Sequence, residues 1–348
     1  MVPIAVAGTS GKSTVTGMCG WSLKQCGQDP LMLNGARVLG IGDDGKESDI
    51  LAGTGTYSVF EADESDGSLV RFKPAIGIIT NITLDHMPMV KLREVFSTFI
   101  NNITDVLVYN ADCQETSKLA TQSVKKVSFS VKETADFKAT ETQLDAFESR
   151  FRIENQAINL KVPGIHNIEN ALAVYSTLRV IGIRPAEAAA ALSSFQGIHR
   201  RFQVVGRAKE ITVIDDFAHN PDKLRATISV TRNLSKSGCF IFQPHGFGPT
   251  KFLFNELVRA FAAGTDSQFP LILTPIFYAG GTVSRDVSSD ELAAKINEAG
   301  GCARVLDRLA IPEEVARSSK PGDCIVVMGA RDPSLPGFCR TILSYLSG

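Results

Sequence analysis

The stretch Ile4-Ala5-Val6-Ala7-Gly8-Thr9-Ser10-Gly11-Lys12-Ser13-Thr14 decides how the chain begins to fold. Its first four residues are apolar and predict a short buried strand. A turn containing two glycines follows, and residues 13–26 then carry apolar side chains at helical spacing. A strand that passes through a glycine-containing turn into a helix is typical of α/β folds that bind phosphate groups.

The turn carries residues suited to binding phosphates. Gly8 and Gly11 let the backbone curl so that its amides face an anion, and the start of the following helix adds partial positive charge. Lys12 supplies a point charge for the outer phosphates, and Ser13 offers a hydroxyl to a magnesium ion. The pattern therefore predicts a site for ATP with Mg²⁺. Since Val6 stands where the usual motif has its first glycine, a tight turn before a capped helix is the alternative.

The composition of the 348 residues excludes several classes of protein. A net charge of -1 offers no basic field for nucleic acid, and no apolar run approaches the roughly 20 residues that cross a bilayer. The first residues lack the basic and apolar regions of a signal peptide. Seven cysteines without a CxxC pair indicate reduced thiols. We therefore expect a cytoplasmic protein that binds neither nucleic acid nor membranes.

Strand and helix patterns alternate along most of the chain. Apolar runs at residues 76–80 and 106–109 predict buried strands with a helix between them, and this alternation indicates an α/β fold with a mostly parallel sheet. Short alternating segments within residues 124–162 predict a small antiparallel piece. A second strand–helix series begins near residue 200. We predict a central P-loop ATP-binding domain over residues 1–199 and a Rossmann-like C-terminal domain over residues 200–348.

Charged residues gather at the predicted strand ends. Residues 61–66, Glu-Ala-Asp-Glu-Ser-Asp, place four carboxylates after a strand, and such a self-repelling cluster favours a cation. Glu61 lies nearest the strand, and Asp85-His86 follows the next strand, where it predicts a second magnesium site. A solvated acidic turn and structural histidines are the alternatives. Arg200-Arg201 lies at the predicted domain boundary, where a nucleotide-binding role competes with that of a solvated pair.

These motifs, in this order, resemble the Mur ligase family, most closely the branch that includes UDP-N-acetylmuramate–L-alanine ligases and murein peptide ligases. The resembling segments are residues 8–14, 61–66, 80–87, 163–173, 197–203, 215–221 and 242–245. The resemblance implies an ATP-dependent enzyme that activates a carboxylic acid as an acyl phosphate and joins it to an amino acid during peptidoglycan-precursor synthesis.

The resemblance also implies a role for each matching residue. The implied ATP-binding residues are Gly8, Thr9, Ser10, Gly11, Lys12, Ser13, Thr14, His166, Asn167, Asn170, Arg201 and Asp216, with the histidine and the asparagines at the adenine. The implied magnesium ligands are Ser13, Glu61 and His86. The implied catalytic residues are Lys12, Glu61, His86, Arg201 and His219, the last beside the reacting phosphate or the incoming amine.

The sequence departs from that branch at several points. The branch carries a UDP-binding domain ahead of its phosphate loop, whereas here the loop begins at residue 6, so we expect a truncated form, a naturally short ligase, or a homo-oligomer or partner that supplies the domain. Residues 245–250 read His-Gly-Phe-Gly-Pro-Thr where the branch has arginines, and Phe217 replaces a tyrosine. The alternatives are a stand-alone amide ligase for another acid, a P-loop kinase or ATPase, and a non-catalytic ATP-binding subunit.

Overall fold

The computed structural model describes residues 1–42, 44–64, 67–83, 88–121, 125–145, 147–278, 280 and 285–348. These residues form two compact units, Met1–His199 and Arg200–Gly348. Within those ranges, no helix combines the length and the apolar character that a membrane span requires.

The first unit is built on a large, mostly parallel sheet. Its strands are β1 (Val2–Ala7), β2 (Leu31–Val38), β3 (Ser48–Ala52), β4 (Tyr57–Glu61), β5 (Ile76–Ile79), β6 (Val106–Asn110), β7 (Lys126–Ser130) and β8 (Phe137–Lys138). Three further strands are β9 (Thr140–Leu144), β10 (Ser149–Ile153) and β11 (Gln156–Leu160). The helices are α1 (Lys12–Gln25), α2 (Met89–Asn102), α3 (Gln114–Ala120), α4 (Ile165–Val180) and α5 (Pro185–Ser193), with a 3-10 turn at Leu69–Arg71.

The described strands of the large sheet lie in the order β3-β2-β4-β1-β5-β6-β7-β8. Among them, β3 alone runs antiparallel to its neighbour. The strands β4 and β5 flank β1, so the residues that follow these three strands meet at one edge of the sheet. In open parallel sheets, ligands bind at this carboxyl edge, where the strand order reverses.

Helices cover both faces of the strand β1. Ile4 and Val6 pack into a core with α1, α4 and α5, while Ala5 and Ala7 pack into a second core with α2. Because successive strand residues point to opposite faces, a strand covered on both sides must be apolar at every position. The predicted α/β fold with a mostly parallel sheet is confirmed.

The prediction for residues 124–162 is right for one part and wrong for the other. The strands β9, β10 and β11 form an antiparallel sheet. The strands β7 and β8, predicted to belong to it, instead pair in parallel and extend the large sheet. The helix α3, which the sequence analysis did not identify, lies between β6 and β7 and provides the crossover that parallel pairing requires.

The second unit is also doubly wound. Its strands are β12 (Gln203–Ala208), β13 (Ile211–Asp216), β14 (Gly238–Gln243), β15 (Leu271–Leu273), β16 (Ala303–Val305) and β17 (Cys324–Gly329). Its helices are α6 (Pro221–Leu234), α7 (Phe247–Phe252), α8 (Phe254–Gly264), α9 (Ser289–Glu298), α10 (Ile311–Ser318) and α11 (Leu335–Ser347). The described strands lie in the order β12-β13-β17-β14-β15-β16, and β12 pairs antiparallel. Val213 and Val327 pack with α10 and α11, while Phe242 contacts Phe261 of α8 at 5.1 Å between ring centroids.

Arg200 links three parts of the second unit from a buried position. Its side chain is 6% exposed, and Nε donates to Oδ1 of Asp215 at 3.0 Å. Nη2 donates to the carbonyl of Gly329 at 2.7 Å, and the guanidinium lies over the ring of Phe217. The alternative that Arg200 belongs to a solvated pair is therefore wrong, because this side chain ties the ends of β13 and β17 to the start of the unit.

The substitution Arg200→Met should lower the free energy of unfolding of the second unit by about 3–5 kcal/mol, because it leaves the buried Asp215 without its guanidinium. Chemical denaturation followed by circular dichroism measures this change. Arg225→Met is the matched control, since it breaks an exposed pair with Asp222 and should cost less than about 1 kcal/mol. Equal effects of the two substitutions would contradict the structural role given to Arg200.

Candidate active site

The turn between β1 and α1 is fixed by its glycines. Gly8 has a φ of 138° and Gly11 a φ of 86°, which are backbone conformations that residues other than glycine rarely adopt. A Cβ atom on Gly8 would lie 2.0 Å from Oγ1 of Thr80, just after β5. A Cβ atom on Gly11 would lie 2.7 Å from Oδ1 of Asn170 on α4. The turn therefore has no room for a side chain at either glycine.

Asn81, to which the sequence analysis gave no role, holds the middle of this turn. Its Oδ1 accepts hydrogen bonds from the amide of Ser10 at 2.9 Å and from Oγ1 of Thr9 at 2.8 Å. Its carbonyl accepts from the amide of Thr9 at 3.1 Å. Since Thr9 and Ser10 direct their amides to Asn81, the amides left to face a phosphate are those at the start of α1, where the first turn of any helix lacks intrahelical acceptors.

Lys12 folds back over the turn that precedes it. Its Nζ donates to the carbonyl of Gly8 at 2.7 Å and to Oε2 of Glu64 at 2.8 Å. The Lys12 side chain is 13% exposed and that of Glu64 is 4% exposed, so the pair lies almost out of solvent. The ammonium is thus held at the mouth of the turn, where an outer phosphate of ATP would need it.

Ser13 and Glu61 come together from adjacent elements. Ser13 lies in the first turn of α1, and Glu61 is the last residue of β4. The Ser13 hydroxyl donates to Oε2 of Glu61 at 3.2 Å. The other carboxylate oxygen of Glu61 accepts from the amide of Gly35. A hydroxyl and a carboxylate side by side, next to a phosphate site, are the oxygen ligands that magnesium prefers in proteins. These two residues therefore fit a magnesium ion that phosphate oxygens and water would complete.

The predicted adenine residues occupy different environments at the start of α4. His166 is exposed in the first turn of the helix, whereas Asn167 and Asn170 are buried. Asn167 donates from Nδ2 to the carbonyl of Pro163 at 2.7 Å, and Asn170 donates to Oδ1 of Asn167 at 3.3 Å. The two asparagines thus brace the turn at Gly11 from behind. Thr14 lies half-buried in the first turn of α1.

A groove of about 600 Å³ opens beside the turn. Its walls include Ser10, Asn81, Asn110, Asp112, Lys132 and Glu169. Glu169 is therefore the residue of α4 that lines the groove, and the predicted Asn167 and Asn170 are not among its lining residues. Burial, reinforced by the charge of Asp112, raises the pKa of Glu169. The groove begins at the turn of residues 8–11, here called the phosphate turn, and is large enough for part of a nucleotide.

Asp216 and Arg201 differ in their surroundings in the second unit. The Asp216 carboxylate accepts from the amides of Phe202 and Ala218, both at 2.7 Å, and burial raises its pKa. Asp216 therefore shapes the segment that leads into α6. Arg201 is exposed at the start of the unit.

His219 pairs with a second histidine that the sequence analysis left without a role. The ring of His219 lies 5.0 Å from that of His245 between centroids, and its Nδ1 is 2.8 Å from the carbonyl of Phe217. Burial lowers the pKa of His219. Burial, with smaller contributions from His219 and Arg331, lowers the pKa of His245 to about 4. Burial therefore favours the neutral form of both rings.

The structure joins some predicted site residues and leaves others untested. Lys12, Ser13 and Glu61 meet at one edge of the first sheet. Asp85 and His86 lie outside the described residues. No group of three or more histidine, cysteine, aspartate or glutamate side chains arranged for a metal occurs within the described ranges. In the sequence Glu64 is only one member of an acidic cluster, and no local pattern marks it as the partner of Lys12, which lies 52 residues away along the chain.

Comparison with known proteins assigns both units. The family model described as "Mur ligase middle domain" matches residues 6–178, and the model described as "Mur ligase, glutamate ligase domain" matches residues 200–331. The chain belongs to the Mur ligase family. It is accordingly an ATP-dependent ligase that forms amide bonds in peptidoglycan-precursor synthesis.

Named relatives support this membership. The UDP-N-acetylmuramate–L-alanine ligase of Geotalea uraniireducens is 35% identical over 342 residues, which cover 94% of this chain and 73% of that protein. That of a Sulfurihydrogenibium species is 32% identical over 99% of this chain and 76% of its own length. The crystal structure of the UDP-N-acetylmuramate–alanine ligase of Thermotoga maritima matches with a TM-score of 0.76 at 26% identity, over 99% of this chain and 75% of that one. The resemblance to Mur ligases is confirmed.

The substitution Gly8→Ala should abolish measurable binding of an ATP analogue, because the new Cβ would collide with Thr80 and displace the turn. Isothermal titration calorimetry measures this binding. Gly27→Ala is the matched control, since Gly27 also has a positive φ but its added Cβ meets no atom within 4 Å. The control should lose about 1 kcal/mol of stability and retain its affinity. Undiminished binding by Gly8→Ala would show that this turn does not hold the nucleotide.

The depressed pKa of His245 predicts a pH-dependent stability. The folded state, with a pKa of about 4, binds fewer protons than the unfolded state, whose histidine titrates near about 6.5. The contribution of the neutral His245 ring to the free energy of unfolding is thus present above about pH 6.5, and it is lost as the pH falls toward about 4. His245→Gln should reduce the difference in unfolding free energy between about pH 7 and pH 4.5 by about 2 kcal/mol. Denaturation at the two pH values measures it, and an unchanged difference would contradict the assignment.

Proposed function

We propose that this ligase activates the carboxylate of UDP-N-acetylmuramate with ATP and joins it to L-alanine. The convergence of Lys12, Ser13 and Glu61 at the carboxyl edge of the first sheet carries the proposal, because it provides a cation for a triphosphate and two oxygen ligands for the magnesium ion that accompanies it. Relatives bearing that activity are similar over almost the whole of this chain. The substrates named for those relatives are therefore the first to test.

The reaction proceeds by two successive substitutions, the first at the γ-phosphorus of ATP and the second at the acyl carbon. A substrate carboxylate oxygen attacks the γ-phosphorus of ATP. The bond between that phosphorus and the oxygen that bridges it to the β-phosphorus breaks, and ADP leaves. The amine nitrogen then attacks the acyl carbon, the carbon–oxygen bond to phosphate breaks, and the amine gives up a proton. An acyl phosphate is needed because a free carboxylate repels a nucleophile and has no good leaving group.

The chain's own residues contribute positioning and charge. Lys12 binds the outer phosphates and spreads the charge of the transferring phosphoryl group. Ser13 and Glu61 would hold magnesium, which when bound neutralises phosphate charge, and His86 is a proposed second magnesium ligand. The groove that runs from Ser10 to Glu169 is proposed to receive the nucleoside.

The remaining predicted residues keep proposed roles. Gly8, Thr9 and Gly11 are proposed to shape the phosphate turn, and Thr14 of α1 is proposed to lie near the magnesium. His166, Asn167 and Asn170 are proposed to line the adenine site. Arg201 and Asp216 are proposed to contact ATP. His219 is proposed to contact the phosphoryl group or the amine, and its neutral ring leaves it able to accept a proton from the amine.

A panel of substrates tests this proposal with ADP release as the readout. UDP-N-acetylmuramate with L-alanine should give ADP and the amide product, and omission of either substrate should abolish both. If ADP is released only in mixtures of L-alanine with free carboxylic acids, the proposed acid is rejected and the protein is a ligase for a different acid. Release that does not depend on an amine would instead indicate a kinase or an ATPase.

The substitution Lys12→Ala provides the matching test of the site. It should lower kcat for ADP release at least about 10²-fold, the loss typical when one preorganised electrostatic group is removed. Lys91→Ala is the control, because Lys91 is an exposed lysine on α2 and its removal should leave the rate unchanged. Ligation by Lys12→Ala at the wild-type rate would refute the assignment of the phosphate turn.

A further inference from the structure

The side chain of Glu64 is the partner of Lys12 in the described part of the first unit. It lies three residues beyond Glu61, so it shares the edge of the sheet with the proposed magnesium site but points to a different group. Only 4% of its side chain is exposed. A carboxylate this deeply buried is costly to keep charged unless a cation accompanies it, and Lys12 is that cation.

We propose that Glu64 is a positioning residue for the ligation reaction, which holds the Lys12 ammonium in the place where it stabilises phosphoryl transfer. An ammonium group has three N–H donors. The carbonyl of Gly8 and the carboxylate of Glu64 accept two of them at 2.7 and 2.8 Å. The directions of these two bonds fix the third N–H, which remains for a phosphate oxygen.

The chemistry of lysine makes such an anchor useful. Lysine ends in a flexible stem, and its ammonium is a point charge without the rigid geometry of a guanidinium. Charge stabilisation in a transition state is effective when the charged group is already in place before the reaction begins. Gly8 alone supplies one neutral acceptor, whereas Glu64 adds a charge-assisted bond, which is about twice as strong.

The Glu64 carboxylate also disfavours nucleotide binding, and this second effect makes its role measurable. Its negative charge lies near the site of the ATP phosphates and repels them. Replacement of Glu64 by the isosteric glutamine removes that repulsion and also weakens the anchor on Lys12. Nucleotide affinity should therefore stay equal or rise while the catalytic rate falls, a combination that simple damage to the fold would not produce.

The inference rests on the proposed ATP site and is tested on the full chain with Glu64→Gln. We expect the Kd of a non-hydrolysable ATP analogue to stay equal or to fall by up to about 10-fold, while kcat for ADP release falls at least about 10-fold. Glu64→Asp, which keeps the charge but shortens the side chain by one carbon, should restore part of kcat. Glu94→Gln is the matched control, since Glu94 forms an exposed pair with Lys91 and should match the wild type.

Two results would overturn the inference. Wild-type values of both Kd and kcat for Glu64→Gln would show that the anchor has no function. A parallel loss of affinity and rate, with Glu64→Asp equally impaired, would show that Glu64 only maintains the local fold. The kcat values are compared with whichever acid and amine the substrate panel supports, so the test of Glu64 stands even where that panel rejects the proposed acid.

Discussion

The close approach of the phosphate turn to Thr80 and Asn170 is the constraint on which the site depends. Gly8 and Gly11 leave no space for a side chain at these two contacts. The backbone between them is therefore held by β5 on one side and by α4 on the other, and Asn81 fixes it further through Thr9 and Ser10. A turn braced in this way needs little rearrangement to receive a phosphate, which is what an electrostatic catalyst requires.

The order of the strands converts this local constraint into a site. Because β4 and β5 flank β1, the end of β4 delivers Glu61 to Ser13, and the loop after β4 delivers Glu64 to Lys12. Two acidic residues from one cluster thus take two separate partners on the first turn of α1. Within the acidic stretch that looked self-repelling in the sequence, Glu64 thus binds a lysine and Glu61 a hydroxyl.

The sequence could predict the parts of the molecule that depend on local patterns. The apolar run before Gly8 predicted the first strand, and the alternation of strand and helix patterns predicted the parallel sheet, because helices between parallel strands cover both of its faces. It could not show that β7 joins this sheet, since alternation in a short strand does not reveal the partner strand. The roles of Asn81 and Glu64 were also hidden, because each depends on a contact across more than fifty residues of chain.

The assignment of Arg200 shows the same limit in the second unit. Two adjacent arginines at a boundary have the same local sequence signal, yet Arg200 is buried against Asp215 and Arg201 is exposed. The family resemblance supplied what local patterns could not, namely the reaction class and the residues around the phosphates. The contacts among Lys12, Ser13 and Glu61 then give those residues a physical reason to act together.

A crystal structure of the chain with a non-hydrolysable ATP analogue and magnesium is the most direct measurement of the central claim. It should show the outer phosphates within hydrogen-bonding distance of the first amides of α1 and of Nζ of Lys12. Analogue bound elsewhere, with this turn unoccupied or with the first amides of α1 directed away from the phosphates, would contradict the account.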